Sequence, residues 1–106
     1  MTTFEKVLKN HSSEIEDFRD FGEFCRRWGF QADLVEDQRE EDLFLHEVGR
    51  EIWRVTDKRS KEGIGLFAID YDEEIFGYGV VRKQTPPFRV KEIYEMEIVK
   101  RYERTE

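Results

Sequence analysis

The stretch Ile64 to Val81, IGLFAIDYDEEIFGYGVV, constrains the fold of this chain more than any other. Two short apolar runs, rich in aromatic and β-branched residues, flank the acidic tripeptide Asp72-Glu73-Glu74. Runs of that composition read as strands, and the charged break reads as the tip of a hairpin. With the loop at 72–74, Tyr71 faces Ile75, Ile69 faces Gly77, Phe67 faces Gly79 and Gly65 faces Val81. On the opposite face Asp70 meets Phe76, Ala68 meets Tyr78 and Leu66 meets Val80. Gly77 and Gly79 then share one face of one strand beside two large side chains, which predicts a shallow trough. Both faces are apolar, so the hairpin belongs in the middle of a sheet.

The N-terminal part carries helix signals. Thr2 and Glu5 fit a capping box before Phe4, Val7 and Leu8, and Asn10-His11-Ser12 breaks that helix. Ser13 and Glu16 fit a second box. The spacing of Ile15, Phe18, Phe21, Cys25 and Trp28 predicts a helix over 14–28, with acids in its first turn, Arg26-Arg27 in its last and Gly29 as its left-handed stop. Residues 30–48 read as an acidic connection pinned by Leu34-Val35 and Leu43-Phe44-Leu45. From about Glu51 the Trp, Val and Thr content favours a strand, in which Trp53 faces Ala68 and Val55 faces Leu66. Gln84-Thr85-Pro86-Pro87 is a turn, because two prolines cannot continue a ladder. The segment from Phe88 to Tyr102 reads as a last strand. The expected fold is α+β: two N-terminal helices on a four-stranded antiparallel meander, in a single domain with a helical part at 1–29, the acidic connection at 30–48 and mostly sheet over 49–106.

Chemistry-bearing motifs are scarce. His46-Glu47 lacks the second histidine of a zinc-protease motif, since Arg50 stands in that place. Asp70, Asp72 and Glu74 alternate as in a calcium loop, but Ile75 replaces the required glycine, and in a hairpin tip these side chains point to different faces. Nothing in the spacing of His11, His46 and Cys25 joins them as metal ligands. Cys25 lies on the apolar stripe of its helix and reads as a core residue; a single cysteine excludes an internal disulfide and fits a reducing cytoplasm. Gly63, Gly65, Gly77 and Gly79 lack the helix and lysine of a phosphate loop. These absences set the expectations of no catalytic residue, no cofactor, no metal and no enzyme.

Charge says more. The net charge is −7, and all of the excess lies in residues 1–53, which hold fourteen acids and seven bases. That argues against direct nucleic-acid binding. The start has no signal-peptide pattern and no run is apolar enough to span a membrane, so a cytoplasmic protein is expected, and the excess of Glu over Asn and Gln leans towards a thermophilic source. Asp33, Glu36, Asp37, Glu40, Glu41, Asp42 and Glu47 form the candidate partner-binding set, against the plain alternative of a solvated face. They suit a protein partner with a basic surface, such as the nucleic-acid groove of a nuclease, as in phage or viral anti-defence (anti-CRISPR-like) inhibitors; that likeness is one of composition only. The second expectation is a homodimer formed through an apolar sheet face that two short helices leave uncovered. The third is a small-ligand site or enzyme pocket over Gly77 and Gly79.

Overall fold

The computed structural model describes residues 3–43, 46–77, 79–94 and 100–105, with side chains left aside at 40–43, 93–94 and 100–101. Helix α1, Thr3–His11, is followed by two 3₁₀ turns, Ser12–Glu14 and Phe18–Asp20, and helix α2, Phe21–Arg27. Six antiparallel strands follow: β1 Phe30–Leu43, β2 His46–Asp57, β3 Gly63–Phe76, β4 Gly79–Gln84, β5 Phe88–Tyr94 and β6 Lys100–Arg104. The α+β class and the single antiparallel sheet are as expected; the strand count is six, not four. None of the described helices is long and apolar enough to cross a membrane.

The expected helix over 14–28 is broken at Ile15–Asp17. The break is held from the sheet: Gln84 of β4 accepts from the Phe18 amide and donates to the Ile15 carbonyl, while the Asp17 side chain accepts from the Arg19 amide. A 3₁₀ turn keeps residues three apart on one side, so Phe18, Phe21 and Cys25 stay buried despite the break. Trp28 is 38% exposed and stacks on His11 instead. Gly29, at φ 85°, is the left-handed stop that the sequence predicts. The Thr2 cap, the anchors Phe44 and Leu45, and Met96 and Ile98 lie outside the described residues.

Strand β3 is the axis of the sheet. It runs straight through Asp72–Glu74, so the expected loop there is wrong. The hairpin to β4 turns later, with Phe76 opposite Gly79, Ile75 opposite Val80 and Tyr71 opposite Gln84. Charged side chains are no bar to a strand when each finds a partner across the ladder. Gly77 and Gly79 consequently line no trough: a Cβ at either would meet nothing within 4 Å. The Pro86-Pro87 turn is a one-residue slip inside an almost continuous strand, since β4 pairs the end of β3 and β5 pairs Leu66–Ala68 of the same edge. The slip inverts side-chain parity. Arg82 and Gln84 of β4 and Arg89 of β5 therefore face the helices.

The acidic connection proves to be β1, paired with β2 from Phe30–Asp57 to Leu43–His46 and bulged at Val35. A charged edge strand resists pairing with another chain, which gives the acids a structural use. Trp53 stands opposite Phe67 and Val55 opposite Gly65, one residue away from the expected register. That slip moves Trp53 and Val55 to the other face of β3. The C-terminal segment is two strands, β5 and β6, joined in antiparallel register from Val90–Arg104 to Tyr94–Lys100.

Two clusters of buried side chains flank the sheet. On the helix side Phe4 contacts Phe21, Phe30 and Phe67 edge-on, with ring centroids 4.9–6.2 Å apart, and Phe18 stacks on Tyr71 at 4.0 Å. The other side holds Ile52, Ala68, Phe88, Val90 and Tyr102, with Arg50 and Arg104 both lying over the Phe88 ring. No helix covers that side among the described residues; the five cluster residues are buried there beneath the two guanidiniums, while Phe76 further along the same face stays exposed.

Candidate functional site

The end of the sheet beyond the helices collects the acids. Residues 36–51 and 70–76 carry eleven Asp and Glu against Arg39 and Arg50. Strand pairing brings two segments distant in sequence side by side: Glu47 lies opposite Glu73, and His46 opposite Glu74. Like charges placed opposite one another destabilise a ladder, so each needs compensation.

Most of it comes from arginine. Glu73, 6% exposed, receives Arg19 Nη1 and Nη2 at 3.0 Å each and Arg82 Nε at 2.8 Å. The Arg19 hydrogen bonds, joined by Arg82 and outweighing burial, hold the Glu73 carboxyl down at about 2. On the opposite face Arg50 grips both oxygens of Asp70. Arg39 reaches Asp37 at 2.9 Å and Glu47 at 3.3 Å. Tyr71 lies across Gly49 and donates to Asp37 at 3.0 Å. Only glycine fits under that ring, because a Cβ at position 49 would stand 2.5 Å from the Tyr71 hydroxyl and 2.9 Å from the Gln38 carbonyl oxygen.

Glu51 is the exception in this acidic end. It is 6% exposed, and among the described residues its Oε1, like the neighbouring Trp53 Nε1, has no hydrogen-bond partner of good geometry. Burial, with the Asp37 charge second, pushes its carboxyl up to about 7. Cys25 is buried outright, and burial alone pushes its thiol up to about 12, which suits a core residue.

The seven acids singled out in the sequence do not form one surface. By register Asp33 and Glu36 stand opposite Arg54 and Ile52, on the face away from the helices, and Glu40 pairs with Val48. Asp37 and Glu47 belong to the helix-side face, and Glu41 pairs with Glu47 along the ladder. Asp42 sits at a register irregularity near the end of β1. Asp33 and Glu36 are exposed, whereas Asp37 and Glu47 are tied to Arg39. Sequence reasoning missed Asp72 and Glu74, which join the first face with Asp70 because alternate residues of an unbroken strand point the same way. The signal was present as the alternation Asp70-Asp72-Glu74, and it was hidden by placing a turn there.

His46, at the start of β2, closes this group. Its Nε2 lies 2.6 Å from Asp72 Oδ1 and 3.8 Å from Glu74 Oε1. His11 makes a separate pair with Glu14 at 2.8 Å, and Cys25 is on the buried side of α2, so the three residues weighed as joint metal ligands do not meet. No protein family, curated protein or solved structure matches this chain.

Proposed function

We propose that the protein is a binding module, not an enzyme, that presents the acidic end of its sheet to a basic surface on a partner protein. One observation carries this reading. The arginines at this end are committed to Asp70, Glu73, Asp37 and Glu47, while among the described residues Glu36, Asp72 and Glu74 have no arginine within ion-pair distance; Asp33, further along β1, stands across from Arg54. A field of one sign concentrated at one end does little for the fold and speeds encounter with an oppositely charged surface. The groove by which a nuclease or another defence effector holds nucleic acid is such a surface, and carboxylates spaced along a strand imitate its phosphates.

The test is affinity capture from the source cell with the native chain and with Asp33→Asn/Glu36→Gln/Glu40→Gln, at low and at high salt. The expected outcome is a basic partner held by the native chain at low salt, released as salt screens the field, and lost with the variant. A partner held equally by both chains at both salt levels would overturn the reading. A second reading, self-association, draws on the exposed Ile75, Phe76, Val80 and Val81 around the β3–β4 tip. Light scattering over a wide concentration range decides it: a strict monomer rules it out.

A further inference from the structure

We propose that His46, Asp72 and Glu74 form a binding site for a divalent transition-metal ion of the zinc class. The three side chains stand on adjacent, directly hydrogen-bonded strands: His46 pairs with Glu74, and Asp72 is two residues earlier on the same face of β3. One nitrogen and two carboxylate oxygens all lie within 4.8 Å of one another. Bonds of about 2.0–2.2 Å from a single ion to an imidazole and two carboxylates span that triangle after small side-chain rotations. Mixed nitrogen and oxygen donors favour zinc, manganese or iron over calcium, which takes oxygen alone.

Electrostatics around the triad give an independent reason. Every other acid with a resolved partner on this end of the sheet is met by an arginine, as Asp37, Glu47, Asp70 and Glu73 show. Among the described residues no lysine or arginine lies within ion-pair distance of Asp72 or Glu74, although Lys83 stands across the ladder from Asp72. The cation-shaped gap in this pattern is filled only by His46. Its Nε2 shares a proton with Asp72 Oδ1 over 2.6 Å. A bound ion replaces that proton: Nε2 gives its lone pair to the metal, the imidazole keeps its proton on Nδ1, and the displaced proton leaves to solvent. With three protein ligands fixed by the sheet and the carboxylates about half exposed, the remaining positions are open to water or to a group on a partner.

The experiment titrates the full chain with Zn²⁺ alone by calorimetry, and with Co²⁺ alone by its visible absorption, in chelator-treated buffer. The expected result is one ion per chain, with binding weakened by on the order of tenfold or more in His46→Ala and, separately, in Asp72→Asn and Glu74→Gln, since losing a ligand costs at least as much as losing its supporting contacts. His11→Ala, which removes the other histidine–carboxylate pair, leaves the affinity unchanged. Circular dichroism of each variant guards against loss of fold. Unchanged affinity in a folded His46→Ala and Asp72→Asn, or no binding of either ion by the native chain, overturns the site. Neither result bears on the partner reading, because no protein partner enters the titration.

Discussion

The two ends of β3 are built on different principles. Toward the helices, Phe67, Ile69 and Tyr71 are buried in the aromatic cluster on the helix side, and Ala68 in the smaller cluster on the other side. Beyond Tyr71 the same strand is Asp-Glu-Glu followed by the exposed Ile75 and Phe76, and its ladder is steadied by guanidiniums. Apolar burial is non-directional and worth about 25 cal/mol per Å², whereas exposed ion pairs give about 0–1 kcal/mol each. The helix-covered end therefore supplies stability, and the acidic end is free to carry charge at little cost to the fold.

The sharpest way to break this comparison is Phe4→Ala, which empties the centre of the aromatic cluster. A loss of about 3–5 kcal/mol is expected, against a change within about 0.5 kcal/mol for Phe76→Ala at the exposed end. Thermal melting of both variants checks it, and equal effects would erase the distinction between the ends. Next comes Gly49→Val, whose Cβ would strike Tyr71 and a backbone oxygen. It should cost about 1–3 kcal/mol or more, while Gly77→Val in open space should be almost silent. Urea unfolding of the pair is decisive, and a silent Gly49→Val would mean that Tyr71 does not cross β2.

Comparable in size is Glu73→Gln. Removing one partner of a buried pair typically costs about 3–5 kcal/mol, discounted here to about 2–3 because Arg19 is partly exposed. Asp72→Asn should cost less than about 1 kcal/mol. The two buried acids also predict opposite pH limbs. Glu73 has a depressed carboxyl, about 2 in the fold, so its contribution is complete above the ordinary carboxylate range and lost as pH falls through that range toward 2. Glu51, raised to about 7, works the other way: the fold loses stability as pH climbs from the ordinary range to about 7. Melting temperature against pH should fall on both sides of the ordinary carboxylate range, and Glu51→Gln should flatten only the limb that runs from that range up to about 7. An unchanged limb there in that variant would show that the carboxylate is not desolvated. The smallest effect is expected for Glu36→Gln, within about 0.5 kcal/mol, as for any exposed carboxylate.

Local preference alone determined a good deal. Phe4, Phe18, Phe21 and Cys25 were legible as core from 3–4 spacing, because a 3₁₀ turn and an α-helix keep nearly the same side inward. Gly29 announced the end of α2, and the Trp, Val and Thr of β2 announced a strand. What the sequence could not decide was pairing. The acids of β1 and of 72–74 look like loop when weighed one at a time; in the sheet Glu73 is met by Arg19 and Arg82 from other elements, and Asp37 by Tyr71 of β3 and Arg39 of its own strand. A two-residue periodicity states which side chains share a face of one strand and is silent on which face of the neighbour they join. A single slip in register thus moved Trp53 across the sheet, and a turn placed five residues early hid Asp72 and Glu74 from His46. Composition is carried by each residue alone, whereas register belongs to the whole sheet, so only the tertiary structure could bring that site together.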